Sequence, residues 1–305
     1  MKRLKKLTLS LHLQREKNIM IKKFMLFLTA ISFSCSSSGD NPSLINIDLP
    51  QTVVPEESCG GRIENANPNG DRTTLVWAEE FEEDGAPCVK NWNHETIPPN
   101  NGSWWNEEVQ YYTDRRDNSI VEDGVLKITA KKENYLSKEY TSARMTTQRL
   151  FEFSYGKVEI RAKLPKGQGT WPALWFLGAN IDTIGWPSCG EIDLVEHGDG
   201  EPGLVSSTVH RANTNGDNYY RRGDQIIENE SSEFHVYKMI WTSTSIQFFV
   251  DDVKHHEVSY DPNTPFNKYF FIILNVAMGG NFTDNNIDPN FTSSALEIDY
   301  IRVYQ

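Results

Sequence analysis

Short runs of alternating apolar and polar residues recur along the chain from about residue 75 to its end. Alternation with a period of two places every second side chain on the same face, which is typical of a half-buried β-strand. Gly, Pro, Asn or Asp bound most of these runs, as expected for strands that are joined by turns. The runs are Val125 to Lys131, Tyr155 to Lys163, His235 to Trp241, Ile246 to Val250, Tyr269 to Val276 and Leu296 to Tyr304.

The pattern predicts an all-β fold rather than alternating strands and helices. No part of the region offers a helical face of about twelve residues or more, which disfavours a parallel α/β sheet. The segment Tyr269 to Leu274 is apolar throughout, as expected for a strand that is covered on both faces. The pair Asp251-Asp252 lies between two strand-like runs and suits a hairpin turn. We therefore expect a sandwich of antiparallel sheets.

The length, composition and net charge of the chain limit the classes of function that it can have. The chain has 305 residues, 38% of them hydrophobic, which suffices for one catalytic domain with a well-filled core. Lys and Arg number 30 against 42 Asp and Glu, and this gives a net charge of −12. Because binding of phosphates needs clustered cations, we expect no nucleic-acid partner.

The first residues have the composition of an export signal. A short positive segment begins at Met20, the apolar run 24–33 follows, and Cys35 comes directly after it. Met20 lies where such a signal should begin, so it is an alternative start. Cys35 is either an ordinary signal-peptide residue or, in our preferred interpretation, the acylated cysteine of a bacterial lipoprotein.

This interpretation divides the chain into a leader (1–35), a flexible tether rich in Ser, Pro, Asn and Gly (36–70) and a catalytic domain (71–305). It places the protein outside the cytoplasm, anchored by lipid to the outer membrane or cell surface of a Gram-negative bacterium.

Three further cysteines have no spacing that suggests zinc, and the seven His are scattered. An odd number in an exported chain leaves at least one thiol free. Cys59 and Cys88 can pair across the start of the domain, with Cys189 left over. We interpret His255-His256 as a solvated strand end.

The segment from Cys189 to His197 carries the candidate chemistry. In an extended strand Glu191 and Asp193 share a face, whereas strict alternation would put Glu196 on the other one. One extra residue, a β-bulge, would return Glu196 to the face of the other two carboxylates.

Three carboxylates on one face raise each other's pKa, so such a cluster is unfavourable unless it has a function. Glycoside hydrolysis needs this arrangement, because one carboxylate must stay ionised while another keeps its proton. With 42 acids in 305 residues, a three-acid pattern at fixed spacing should occur about once by chance. The pattern therefore needs support from its surroundings.

Aromatic residues provide that support. Trp171 and Trp175 precede the acidic segment, and Trp186 lies in a Gly-Trp-Pro turn directly before it. Sugars present flat C–H faces that stack on aromatic rings. Trp175 is as readily a core residue as a sugar contact, whereas Trp186 is expected to be exposed at the edge of a cleft.

Together these residues resemble glycoside hydrolase family 16, whose signature is Glu-x-Asp-x-(x)-Glu. The form with the extra residue resembles the branch that holds laminarinases, agarases and κ-carrageenases. Other landmarks follow in the family's order and cover about three quarters of the chain. They are the segments 77–81, 106–112, 140–144, 234–237, 274–280 and 299–304.

The resemblance implies a concanavalin A-like jelly-roll sandwich of two antiparallel sheets with an open concave cleft. It makes Glu191 the nucleophile, Asp193 the assisting carboxylate and Glu196 the acid/base of a retaining endo-β-1,3-glucanase. Sugar contacts are expected from Asn106, Arg144, Trp171, Trp175, Trp186 and His210.

The family also implies no catalytic cofactor but a structural calcium ion, held by Glu80, Gly124 and Asp299 on the convex side. Its all-oxygen ligand set suits a hard cation. We expect a monomer that acts on β-glucan.

Alternatives remain for the activity. Mixed-linkage β-1,3-1,4-glucan is the nearest rival substrate, and a marine galactan is another. A transglycosylase would share the glycosyl-enzyme intermediate. A non-catalytic glucan-binding protein is disfavoured because all three carboxylates are present.

Overall fold

Eighteen strands and one four-residue helix form the α and β structure of the described residues, 59–62, 67–198 and 203–305, in this computed structural model. The strands are β1 Gly61–Arg62, β2 Leu75–Glu79, β3 Asn93–His94, β4 Gln110–Tyr112, β5 Ser119–Glu122, β6 Val125–Tyr135, β7 Lys138–Ser142, β8 Arg144–Thr146, β9 Gly156–Lys163, β10 Thr170–Gly178, β11 Glu191–His197, β12 Leu204–Ala212, β13 Asn218–Ile226, β14 His235–Trp241, β15 Ser245–Val250, β16 Val253–Ser259, β17 Phe270–Met278 and β18 Ser293–Tyr304. The helix, α1, is Ile181–Ile184, and 3-10 turns occur at Trp105–Glu107, Pro265–Asn267 and Asn281–Thr283.

The strands form two sheets, which confirms the predicted all-β sandwich. The seven-stranded sheet, called the site sheet here, has the order β13-β12-β11-β10-β17-β8-β3. The eleven-stranded sheet, called the back sheet, contains β16-β15-β14-β9-β18-β6-β7-β4 with β1, β2 and β5 attached. One pairing departs from the antiparallel pattern, because β4 pairs in parallel with β7.

The core lies between the sheets and follows from the period-two pattern. In β9 and β14 every second residue is buried, and the intervening ones are partly exposed. Trp77, Trp241 and Phe248 are among the largest fully buried side chains. Burial of a large apolar side chain stabilises the fold by about 1.5–3 kcal/mol, so these positions fix which face of each strand points inward.

Strand β17 lies next to the central strand β10 of the site sheet and is buried at all nine positions. This confirms the interpretation of its apolar run as a strand covered on both faces. Asn275 is the one amide or charged residue in the strand. A buried amide needs hydrogen-bond partners, and its partners belong to the site described below.

The hairpin predicted at Asp251-Asp252 joins β15 to β16, and both residues have positive φ, 46° and 67°. The interpretation of His255-His256 as a solvated strand end was wrong. A register shift in β16 pairs Phe248 with His256 and Phe249 with Lys254, so His255 is an extra, bulged residue. Both imidazoles are half-buried.

Cys59 and Cys88 form a disulfide, with their Cα atoms 5.9 Å apart, and Cys189 is free and buried. Strand β1 pairs with β2 immediately after Cys59, within the segment that we interpret as a tether. Cys35 and the leader lie outside the described residues, so lipidation stays a prediction. Among the described residues, no helix is long and apolar enough to cross a membrane.

Candidate active site

Strand β11 presents three carboxylates on the outer face of the site sheet. Glu191 and Asp193 pair with β12 in ordinary register, and Glu196 is also in register after a shift. Residues 194–195 lie opposite the single residue Ser207, which is the arrangement of a β-bulge. The predicted bulge is therefore confirmed, and it returns Glu196 to the face of the other two acids.

Glu196 is held by two donors from neighbouring strands. The indole Nε1 of Trp171 donates to its Oε1 at 3.2 Å, and the hydroxyl of Thr208 donates to its Oε2 at 3.4 Å. Trp171 was predicted to contact substrate, and the structure places its indole beside a catalytic candidate. The two hydrogen bonds fix the direction in which the Glu196 carboxyl points.

Glu191 and Asp193 share a neighbour in His210. Its Nε2 lies 3.4 Å from Asp193 Oδ2 and 3.8 Å from Glu191 Oε1. Asp193 is the most enclosed carboxylate of the three, with a side chain only 5% exposed. Within the described part of the chain its Oδ2 has no hydrogen-bond partner. An ionised carboxylate in that position would be poorly solvated, so Asp193 is suited to hold a proton.

Burial raises the pKa of all three carboxyls, because desolvation penalises the charged form. The charge of Asp193 adds to the increase in the pKa of Glu191, and the charge of Glu196 adds to that of Asp193. His210 and the Trp171 hydrogen bond partly offset the increase for Glu196. Because the ionisation of one carboxyl raises the pKa of its neighbour, the cluster can hold acid and base forms side by side.

Three residues of the same region have the spacing of a metal-binding site. One ligand atom each from Glu191, Asp193 and His210 lies within 4.8 Å of the others. No second group of three acid, His or Cys ligands at this spacing occurs in the described residues. A divalent ion held there would occupy the predicted nucleophile.

Aromatic rings border the carboxylates on both sides. Trp186 is 49% exposed and its ring centroid lies 6.1 Å from that of His210, which confirms its predicted exposure. Tyr220 extends the row beyond His210 at 5.7 Å. On the other side Trp171 stacks on Phe282 at 5.0 Å with an interplanar angle of 10°. These rings form a strip of flat apolar surface that can accept sugar faces.

Trp175 is held by a buried chain of hydrogen bonds. Its Nε1 donates to Asn275 Oδ1 at 2.8 Å, and the Asn275 amide donates to the Tyr112 hydroxyl at 3.2 Å. That hydroxyl donates in turn to Glu108 Oε2 at 2.9 Å. The chain fixes the plane of the indole, and Trp175 lies opposite Asp193 in the pairing of β10 with β11.

Arg144 lies beside Trp175, with its guanidinium carbon 4.7 Å from the ring centroid, and forms an ion pair with Glu95. Asn106 is exposed in the turn after Trp105 and has a left-handed φ of 57°. A Cβ atom on Gly280 would lie 2.9 Å from the Asn106 carbonyl, so this turn packs closely against the Gly279-Gly280 loop. The same Gly280 position lies 3.2 Å from the Trp171 ring, so Asn106 is placed at the rim on the Trp171 side of the site.

The residues predicted to hold calcium have arginine partners. Arg302 donates to both carboxylate oxygens of Glu80 at 2.8 Å, and Arg161 donates to Asp299 at 2.5 Å. Gly124 lies in the turn between β5 and β6 with a φ of 75°. The donor chemistry suits calcium, but an ion would have to replace these two ion pairs.

Sequence reasoning missed several residues of the site. Thr208 and Arg222 lie on β12 and β13 in the same row as Asp193, and the positive charge of Arg222 lowers the pKa of Glu196. Arg221 and Arg222 belong to strand β13, although their sequence is equally typical of a solvated loop. Strand alternation alone could not reveal which strand neighbours β11. Asn275 could have been recognised from the sequence, because it is a single amide residue in an otherwise apolar strand.

The family model for glycosyl hydrolases family 16 matches residues 106–302, which include all three carboxylates. The chain belongs to this family. This confirms the resemblance that the acidic motif and its landmarks indicated. As a family 16 glycoside hydrolase, the protein is an enzyme that needs no cofactor for catalysis.

Several relatives of this family 16 enzyme are named as glucan-hydrolysing enzymes. It is 39% identical to "Beta-glucanase" of Rhodothermus marinus over 246 residues, which are 76% of this chain and 85% of the relative. The structure of LamA from Zobellia galactanivorans in complex with laminaritriose and laminaritetraose is 43% identical, with a TM-score of 0.72, 76% of this chain covered and 99% of that chain. SCLam, a non-specific endo-β-1,3(4)-glucanase, is 34% identical with a TM-score of 0.70, and the match covers 81% and 96% of the two chains.

Proposed function

We propose that this enzyme is a retaining endo-β-glucanase that hydrolyses β-1,3-linked glucan through Glu191, Asp193 and Glu196. The observation that carries the proposal is the bulge in β11, which puts three acids on the outer face of the site sheet. The surrounding aromatic strip supplies the apolar surface that a glucan chain needs.

In the first half-reaction the Glu191 carboxylate attacks the anomeric carbon while Glu196 gives its proton to the leaving glycosidic oxygen. A covalent glycosyl-enzyme forms at Glu191, and the reducing-end fragment departs. Glu196 then removes a proton from water as the water attacks the same carbon, which releases Glu191 and regenerates the acid. Two displacements at one carbon retain the anomeric configuration.

Asp193 sets the charge of the nucleophile. A proton on its buried carboxyl leaves Glu191 free to ionise, since the two acids do not then carry adjacent negative charges. The proton also lets Asp193 donate a hydrogen bond to Glu191. Asp193→Asn, which keeps a donor but no acidic proton, is therefore expected to slow turnover less than Glu191→Gln.

The glucanase relatives support β-1,3-glucan as the substrate, because one solved complex contains laminari-oligosaccharides at 43% identity. Mixed-linkage glucan is proposed as a second substrate, since SCLam is described as a non-specific endo-β-1,3(4)-glucanase. The row Trp186, His210 and Tyr220 extends the cleft away from Glu191, which suits a polymer rather than a disaccharide. We propose that cleavage is therefore internal.

Proton NMR of a laminari-oligosaccharide digest tests the chemistry. We expect the β-anomer of the new reducing end to appear first and to mutarotate later. Glu191→Gln and Glu196→Gln should each abolish most turnover and leave oligosaccharide binding intact. A first-formed α-anomer, or a Glu191→Gln protein with full activity, would refute the assignment.

We also propose a structural calcium ion at Glu80, Gly124 and Asp299. Two carboxylates and one carbonyl oxygen suit this cation, and binding would release Arg302 and Arg161 from their ion pairs. Calcium should raise the melting temperature of EDTA-treated protein, and Asp299→Asn should remove that increase. An unchanged melting temperature would show that the arginines fill this role.

Export and lipidation at Cys35 are proposed from the sequence, with the outer membrane or cell surface as destination and a monomer as the active form. Palmitate labelling of the expressed protein tests the anchor, and Cys35→Ser should abolish both label and membrane association. Sedimentation of the chain from Cys59 onward tests the monomer.

A further inference from the structure

The alignment of the catalytic acids depends on one irregular residue. Leu194 has no Cα partner in either neighbouring strand, because Asp193 and Val195 are the residues that pair with β10 and the shift in β12 skips the same position. Without this extra residue, Glu196 would face the core. Whatever holds the backbone at Leu194 therefore also sets where Glu196 points.

Ser207 provides that restraint. It lies directly opposite the bulge and is completely buried. Its hydroxyl donates to the Leu194 carbonyl oxygen at 2.8 Å. A buried carbonyl that lacks a regular ladder partner is costly, so the side chain of Ser207 takes the place of a backbone donor.

The restraint continues into the back sheet. His255 Nε2 lies 2.9 Å from the Ser207 hydroxyl. Since that hydroxyl already donates its hydrogen to Leu194, it must accept from His255, and the imidazole carries its proton on Nε2. His255 is itself the extra residue of the bulge in β16, which is what allows it to reach toward the site sheet.

Two further features fit this contact. Ser207 pairs with Gly223 in β13, and a Cβ atom at Gly223 would lie 2.4 Å from the ring of His256. Only glycine lets the two histidines approach Ser207 here. Burial, together with the neighbouring His256, lowers the pKa of His255 to about 4, although Asp224 opposes this, so the imidazole is neutral.

We propose that Ser207 and His255 are positioning residues that act through the Leu194 bulge to align Glu196 for proton donation. Neither side chain belongs to the row of carboxylates, and neither contacts substrate. The proposal rests on the acid/base role of Glu196 given above. It assigns a catalytic purpose to a polar contact between the two sheets.

Leaving-group dependence tests the proposal. The value of kcat/KM reports the glycosylation step. A sugar leaving group needs a proton from the general acid in this step, whereas a dinitrophenolate is a weak base and leaves with little help from an acid. Ser207→Ala and His255→Leu should lower kcat/KM on laminari-oligosaccharides by about 10- to 100-fold. On a dinitrophenyl β-laminaribioside the loss should be about threefold or less. His255→Gln keeps an N–H donor near the position of Nε2 and should restore most of the activity.

Thr147→Val is the matched control. The Thr147 hydroxyl is also buried and donates to a backbone carbonyl, that of Phe151, at 2.8 Å, but it follows β8 rather than facing β11. Thr147→Val should lower the melting temperature and leave unchanged the ratio of kcat/KM on laminari-oligosaccharides to kcat/KM on the dinitrophenyl substrate. Melting curves establish that each variant is folded, and the two variants at half-buried His255 decide the question if Ser207→Ala does not fold.

Glu196→Gln distinguishes a failure of the acid/base assignment of Glu196 from a failure of the positioning role of Ser207 and His255. It should show the largest difference between the two substrates, and if it shows none, the acid/base assignment fails. If Glu196→Gln shows the difference while Ser207→Ala and His255→Leu lose both activities equally or lose neither, the positioning role is overturned.

Discussion

Replacing Asp193 by Asn should stabilise the protein while it slows catalysis. Asp193 is 4% exposed and sits beside Glu191 in a site with little solvent. Its pKa is raised above the ordinary value by burial and by Glu196. Asn fills the same space and stays neutral at every pH, whereas Asp193 must either bind a proton or carry a charge beside Glu191.

The magnitude follows from the spacing of the cluster. Ligand atoms of Glu191 and Asp193 lie within 4.8 Å, so two full charges at that separation repel by about 3 kcal/mol at an effective dielectric constant of about 20. The cluster relieves part of this energy by retaining a proton. We therefore expect the variant to gain about 1–3 kcal/mol at neutral pH, or roughly 2–12 °C in melting temperature.

The dependence on pH has a definite sign. A carboxyl whose pKa is higher in the folded state binds its proton more tightly there than in the unfolded chain. The wild-type enzyme thus loses stability as the pH rises from the ordinary carboxyl pKa to the raised one, and the variant lacks that loss. The advantage of Asp193→Asn should be small in acid and grow toward neutral pH.

Melting curves of both proteins across this pH range are the assay. Asp117→Asn serves as the control, because that carboxylate is exposed and pairs with Lys131 at the surface. Removing such a pair should change stability by no more than about 1 kcal/mol. A variant at Asp193 that melts at or below the wild-type temperature at every pH would refute the reasoning.

Three further predictions concern the cleft and the cysteines. Trp186→Ala removes a half-exposed ring, and with it about 100 Å² of apolar surface that would cover a sugar. It should therefore raise KM by about 10- to 30-fold while kcat changes little. The control variant Leu136→Ala, in an exposed hairpin, should change neither KM nor kcat. Cys59→Ser opens a disulfide loop with a sequence separation of 29 and should cost about 3–4 kcal/mol in thermal or urea unfolding, without loss of activity below the transition. Cys189 is fully buried and burial raises its thiol pKa to about 12, so a thiol reagent should label it only after unfolding, and labelling of the native enzyme would contradict its placement.

The predictable part of the fold was its periodic part. Alternation revealed the strands, and the Glu-x-Asp-x-x-Glu spacing required the bulge that the pairing with β12 contains. The parallel pairing of β4 with β7 was not predictable, because alternation does not specify strand direction. His255 was misinterpreted for a related reason, since its inward orientation depends on a second bulge that no charge pattern required.

The site was predictable where one segment carried it and unpredictable where the topology assembled it. Glu191, Asp193 and Glu196 lie on one strand, so their spacing sufficed. Thr208 and Arg222 reach the same row from β12 and β13, and local sequence does not reveal which strand lies next to β11.

Product analysis of the chain from Cys59 onward, incubated separately with laminarin, barley mixed-linkage glucan and agarose, tests the central claim most directly. We expect laminari-oligosaccharides of several lengths from laminarin, products from barley glucan as well, and none from agarose. Products from agarose alone, or binding of all glucans without cleavage, would contradict the assignment of an endo-β-1,3-glucanase.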